Sequence, residues 1–212
     1  MPYTQRSSFY PAPGHEAHLR EILIGRVGAL QQAGFRAILA QTFYGSAPAA
    51  FHAVLPFDDL GAVGKYMREQ EEGIARLRSD IAPFIREPAA NALTEVLVPN
   101  PNPSPAARYW VRIVQRLLPD KAAEATALMV EWARTRGSQG YRWALVREMA
   151  GPDSGSLVTS LFFEHLEEWE ELRTRGSSEE AAQQYLRDLT PLMAAPGQAE
   201  VLQVLVPMQA GN

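Results

Sequence analysis

Cysteine is absent from all 212 residues. Disulfides, thiolate nucleophiles and cysteine-based metal sites are excluded together, and the expected compartment is the cytoplasm. Histidine is scarce, with four in the chain. Two of them, in His15-Glu16-Ala17-His18, are spaced i, i+3, whereas a helical zinc motif needs i, i+4. No metal is expected. No apolar run approaches the ~18–20 residues that cross a bilayer. The opening MPYTQRSSFY lacks a charged segment followed by an apolar one, so neither a membrane partner nor a secretory signal is expected. Positive charge is not in excess: 20 Lys and Arg against 24 Asp and Glu leave a net −4. That balance speaks against nucleic acid. A phosphate-cradling glycine loop and a Gly-x-Ser-x-Gly elbow are also missing, so no cofactor is expected.

What the chain does have is a repeat. Val96-Leu97-Val98-Pro99 recurs as Val204-Leu205-Val206-Pro207, an offset of 108. The same offset carries Asp80, Pro83 and Pro88 onto Asp188, Pro191 and Pro196. Further upstream an offset of 106 aligns Gly34-Phe35-Arg36 with Gly140-Tyr141-Arg142, Leu39 with Leu145, Gly45 with Gly151, and Phe57-Asp58-Asp59-Leu60 with Phe163-Glu164-His165-Leu166. The change of offset places a two-residue insertion between residues 167 and 187, naturally in the loop-like Gly176-Ser177-Ser178. Internal repetition of this length means two copies of one structural unit. The expected division is a first unit over 1–99, a proline-rich linker over 100–106, and a second unit over 107–212. Alternating prolines forbid helix and block ladder hydrogen bonds, so the linker is stiff, and the units must be neighbours.

Periodicity gives each unit the same order. In the second copy, residues 109–118 are rich in β-branched and aromatic residues and read as a strand. A helix follows from Pro119-Asp120, with Ala125, Leu128, Met129 and Trp132 at helical spacing and a stop at Gly137. Strands are expected at 141–149 and 157–163. An acidic helix then ends near Gly176, a further helix runs to about Met193, and a last strand covers 200–206. The first copy parallels it: strand 3–10, helix 15–32, strands 35–44 and 50–56, helices 58–86, strand 93–98. Strand, helix, strand, strand, helix, strand is the ferredoxin-like order. Helices cover one face of such a sheet, and the other face needs a partner.

The segments PAPGH and LLPDK, GFRAILAQTFYG and GYRWALVREMAG, FDDL and FEHL, and LRSDIAPFI and LRDLTPLM resemble the dimeric α+β barrel superfamily. They are most similar to its NIPSNAP-type and antibiotic-biosynthesis-monooxygenase-type domains. The resemblance covers nearly the whole chain, twice. It implies an α+β fold in which two tandem ferredoxin-like (βαββαβ) units pack sheet to sheet as an intrachain dimeric α+β barrel. Function classes implied include cofactor-independent oxygenases, isomerases and haem-handling proteins, beside many members of unknown role, and fold does not choose among them.

Candidate residues follow from chemistry and placement. His52 lies in the third strand and is the candidate general base. Arg36 recurs as Arg142; an inward arginine holds a carboxylate or enolate oxygen, or pairs between the sheets with Glu95 or Glu148. Tyr44 with His52 and Arg36 completes the candidate catalytic set. Tyr109, Trp110, Tyr141 and Trp143 with Arg142 form a candidate ligand-binding set, aromatic walls with polar handles; the same aromatics also suit a plain core. His165 is conceivable as a haem ligand, but its counterpart is Asp59, so the repeat lends no support. The expected function is a cofactor-independent monooxygenase or isomerase acting on a small aromatic or polyketide-like molecule. The alternatives are a non-catalytic small-molecule-binding or stress-response module, and an interaction protein with filled cores. The expected assembly is a monomer or homodimer.

Overall fold

Proline, glycine and β-branched residues set where each element starts and stops. The computed structural model describes residues 2–45, 49–102 and 104–208, and of Ser177 the backbone alone. The first half runs through strand β1 (Tyr3–Phe9), helix α1 (Glu16–Gln32), strands β2 (Ile38–Gly45) and β3 (Phe51–Phe57), helices α2 (Leu60–Glu69) and α3 (Glu71–Ile81), and strand β4 (Ala90–Val98). The second half runs through β5 (Tyr109–Gln115), α4 (Ala122–Ser138), β6 (Trp143–Ala150), β7 (Leu157–Phe163), α5 (Leu166–Ser178), α6 (Glu180–Leu189) and β8 (Gln198–Val206). Asp59 starts α2 by accepting the Ala62 N–H at 2.7 Å. Pro83 and Pro191 sit in the single 3₁₀ turns that follow α3 and α6. Lacking an N–H, a proline there cannot continue an α-helical ladder.

All eight strands form one closed antiparallel barrel in the order β1-β3-β2-β8-β5-β7-β6-β4. Within each half the order is the same, β4-β1-β3-β2 and β8-β5-β7-β6. The halves join at two seams, β2 to β8 and β4 to β6. The expected sheet-to-sheet packing is thereby refined: the two sheets face each other across a lumen and are hydrogen-bonded edge to edge. A four-stranded sheet leaves two edges of unpaired N–H and C=O groups, and closure satisfies both. Register shifts at the seams, between Leu39 and Ala40, Thr42 and Tyr44, Leu93 and Thr94, and Val96 and Val98, bend the strands around the corners.

Helices cover the outside. From α1, Leu19, Leu23, Val27 and Leu30 point one way at helical spacing and pack on Phe51, Leu55 and Phe57. From α4, Ala125, Met129 and Ala133 pack on Leu145 and Leu157. Alternation then sends the intervening strand residues into the lumen.

Several boundaries differ from the sequence reading: α5 runs through the expected loop at Gly176 to Ser178, β5 ends at Gln115 and β4 starts at Ala90. Gly34 and Gly140 have φ of +87° and +89°, left-handed values that end α1 and α4. The chain then crosses to the barrel before joining the ladder, so Arg36, Tyr141 and Arg142 precede their strands. Helix α4 also runs past Gly137 to Ser138. Gly137 serves close approach: a Cβ there would lie 2.9 Å from Pro101 Cγ, and Asn102 donates to the Gly137 carbonyl at 3.2 Å. The proline-rich stretch is thus docked along α4.

Candidate functional site

Strand register fixes what fills the lumen. Each strand points residues inward at every second position, giving three tiers along the barrel axis. One end tier includes Ile38, Pro56, Val96, Trp110, Phe162 and Val204. The middle tier includes Arg6, Ala40, Val54, Arg112, Ser160 and Leu202. The far tier includes Ser8, Thr42, His52, Glu148, Val158 and Glu200. An eight-stranded barrel is just wide enough for side chains to fill it or to admit one small ligand. At the first end Ile38, Pro56, Val96, Phe162 and Val204 point inward yet are only half-buried. That end is an apolar mouth reached by solvent. At the far end Ser8, His52, Glu148 and Val158 are buried, while Thr42 and Glu200 are half-buried, so that end is the more enclosed one and carries the polar groups.

The charged groups are arranged as a ladder of pairs. Arg6 Nη2 donates to Glu148 Oε2 at 3.1 Å, and Arg112 Nη2 stands 3.7 Å from the same oxygen. Arg112 also reaches Glu200 at 3.2 Å and Asp153 at 3.5 Å. Asp153 is held from outside by Arg116 at 3.1 Å. Glu148 Oε1 accepts the Asp153 N–H at 2.8 Å. Burial lowers the Arg6 pKa, Arg112 lowers it further, and Glu148 pulls the other way.

His52 sits beside this ladder. Its Nδ1 is 2.9 Å from Ser8 Oγ and its Nε2 3.3 Å from Thr42 Oγ1. Ser8 Oγ accepts from Arg6 Nη1 at 3.1 Å. Its own proton is then free for His52 Nδ1, which leaves the Nε2–H tautomer donating to Thr42. Burial, then Arg6 and Arg112, depress the His52 pKa to about 3. The imidazole is neutral at physiological pH and both nitrogens are engaged.

The other sequence candidates are dispersed. Arg36 is exposed in the approach to β2, and Tyr44 is 76% exposed near the far end of that strand. Neither converges with His52, because Arg36 precedes the ladder and Tyr44 follows a register shift that breaks the inward alternation. Arg142 pairs with Glu164 at 2.8 Å, rather than with Glu95 or Glu148, and Glu164 also accepts from Ser104. Tyr141 lies under the Arg136 guanidinium and accepts from Arg175 at 3.2 Å. Tyr109 and Trp143 face outward and pack beneath the helices. Trp110 alone of that set enters the lumen, stacked on Phe162 with centroids 6.0 Å apart. His15 and His18 pack on Phe84, and His165 precedes α5, where its N–H donates to Glu168 at 2.9 Å.

Arg6, Arg112, Asp153 and Glu200 escaped the sequence reading, and Glu148 entered it only as an ion-pair partner. A signal existed for the arginines: the 106 offset carries Tyr3 onto Tyr109 and Arg6 onto Arg112. A charge at the matching inward positions of β1 and β5 is costly unless paired. The acids have no counterpart, since Glu148 aligns with Thr42 and Glu200 with Ala92. Among the described residues, no three metal-ligating side chains are grouped to hold an ion. Two open depressions, of about 530 and 610 Å³, lie on the outside of the second half. The first is lined by Arg136 and Glu179, which pair at 3.0 Å, and neither reaches the lumen.

The fold recurs in known structures. A candidate monooxygenase from Fusobacterium nucleatum subsp. nucleatum superposes over 100% of this chain and 96% of its own, with a TM-score of 0.77 and 14% identity. An anthrone oxidase-like protein covers 100% and 94%, with a TM-score of 0.71 and 14% identity. A candidate monooxygenase from Lactobacillus acidophilus covers 100% and 98%, with a TM-score of 0.70 and 8% identity. At these identities the likeness is one of fold, a mixed α+β architecture with a closed eight-stranded barrel. No family model matches the sequence, and no curated protein does.

Proposed function

We propose that the chain is a monooxygenase-like α+β barrel whose lumen receives a small aromatic or polyketide-like molecule and oxidises or isomerises it without a bound cofactor. In this reading residues 1–99 and 107–212 are duplicated ferredoxin-like units joined by 100–106. The protein is cytoplasmic, as a monomer or homodimer. Among the described residues no helix is long and apolar enough to cross a membrane.

The observation that carries the reading is the lumen's gradient: a half-open apolar mouth above a more enclosed, charged interior. Fold formation does not require such a gradient, since buried ion pairs contribute little net stability against an apolar filling. The fold neighbours named as monooxygenases add support. In this reading a flat apolar body sits at the mouth beside Phe162 and Val204. Its reacting carbon faces down toward Arg6 and Arg112, whose guanidinium groups stabilise negative charge developing there in the transition state. Oxygenation of an activated methylene balances without a reductant: the CH2 group and dioxygen give a carbonyl and water. With His52 near pKa 3 and both its nitrogens engaged, the lumen supplies no strong base. The substrates it suits have an already acidic C–H.

The same histidine favours a second reading, a non-catalytic small-molecule-binding module, because no free base faces the mouth. Aerobic incubation with an anthrone-class probe separates the two. Oxygen uptake with carbonyl formation, reduced at least about tenfold in a folded Arg112→Met variant, supports catalysis. Saturable binding without oxygen uptake supports the module. Neither binding nor turnover with any aromatic probe sinks both.

A further inference from the structure

The lumen has one buried donor that the protein itself does not use. Trp110 is 7% exposed, and its Nε1–H has no acceptor among the described residues. A buried donor left unmet costs about 1–3 kcal/mol, and Trp normally finds a partner when buried. Around it stand Ala40, Leu202 and Val204, which offer no side-chain acceptor, and Phe162. The position is not a packing necessity either: the corresponding residue in the first half is Thr4, whose hydroxyl is satisfied by Thr94.

A second observation concerns charge. Arg6, Arg112 and Arg116 face Glu148, Asp153 and Glu200, three cations against three anions, every one paired within 4 Å. An incoming carboxylate would have to displace one of these acids or sit uncompensated in a low-dielectric space. The ground-state site is therefore closed to a formal anion and open to a neutral acceptor.

We infer that Trp110 is the recognition donor of the lumen, and that it selects an uncharged aromatic ligand bearing a ketone, quinone or phenol oxygen over a carboxylate of the same shape. The inference rests on the lumen being the binding site, as proposed above. It adds a residue and a selectivity that fold and composition leave open. The ligand's ring lies along Phe162 at the mouth, its oxygen accepts from Trp110 Nε1, and its body covers Val54 and Val204.

Three matched probes test it on the wild-type chain: 1-tetralone, tetralin without the oxygen, and 1-naphthoate. The four tryptophans give four indole N–H resonances, and Trp110→Phe identifies the relevant one. The expected result is a downfield shift of the Trp110 indole proton with 1-tetralone, and roughly tenfold weaker binding of tetralin and of 1-naphthoate. Trp110→Phe keeps the ring and should bring 1-tetralone down to the affinity of tetralin. If 1-tetralone moves Phe162 and Val204 resonances but leaves the Trp110 indole still, the inference is overturned while the lumen remains the site. Equal affinity for 1-naphthoate overturns the selectivity. If no probe moves any lumen resonance, the lumen reading falls and the inference falls with it.

Discussion

Without the Glu148 carboxylate, Arg6 and Arg112 would be two buried guanidinium groups sharing a lumen with too few acids. Breaking a buried pair on one side costs about 3–5 kcal/mol. Glu148→Gln should therefore lower the thermal midpoint by about 10 °C, read by circular dichroism, whereas Glu69→Gln, in an exposed pair with Lys65, should leave it unchanged. His52 makes a pH prediction. In the unfolded chain it titrates near 6.5, and in the fold near 3. As pH falls, the unfolded chain takes up the proton first. The stabilisation is complete above about pH 6.5 and is lost at up to about 1.4 kcal/mol per pH unit on the way to 3. Urea unfolding at pH 7, 6 and 5 should show this slope, and His52→Gln should flatten it. A mutant slope equal to wild type would mean that other groups carry the acid sensitivity. At this scale the sequence was partly legible. His52 and Trp110 stood out as a lone histidine and a large aromatic on strands. The arginines did not, because a charged residue within a strand reads as solvent-facing until a closed lumen exists to receive it.

Turns decide how the elements meet. Gly151 follows β6 at φ +137°, and a Cβ there would come within 2.5 Å of Glu148 Oε1 and 2.8 Å of Ala92 Cβ. Gly140 has φ +89° but nothing within 4 Å of a Cβ. Gly140→Ala should cost about 1–2 kcal/mol from backbone strain alone. Gly151→Ala adds a clash with the carboxylate that orders the lumen, about 1–3 kcal/mol more. Equal unfolding free energies for the two variants would show that the hairpin yields. Helices and strands were readable here because burial imposes the two periods, 3.6 and 2, directly on the sequence. Their starts were less readable. Arg142 fits an inward alternation with Ala144, Val146 and Glu148, yet it lies just before β6, its carbonyl accepting from the Phe162 N–H at 3.2 Å and its side chain taken by Glu164.

For the molecule as a whole, both seams close within one chain. The barrel is complete in a single copy, so its thermal midpoint should not depend on protein concentration, unlike that of a barrel assembled from two chains. A midpoint that rises steadily with concentration would require a second copy to complete the fold. The offsets of 106 and 108 relate the strand order of one half of the barrel to that of the other. They could not show edges joining, because seam pairing lies between residues with no sequence relation, such as Thr94 and Glu148. The two halves surround the lumen axis as near-equivalents, Arg6 opposite Arg112, but their other contributions differ: Ser8, Thr42 and His52 from one, Trp110, Phe162, Glu148 and Glu200 from the other. Two identical chains would have to repeat every residue across that axis, and a guest molecule would then have two indistinguishable orientations. In a single chain each wall can diverge alone. A molecule entering this barrel meets a left side and a right side, and its two faces cannot exchange without a change in energy.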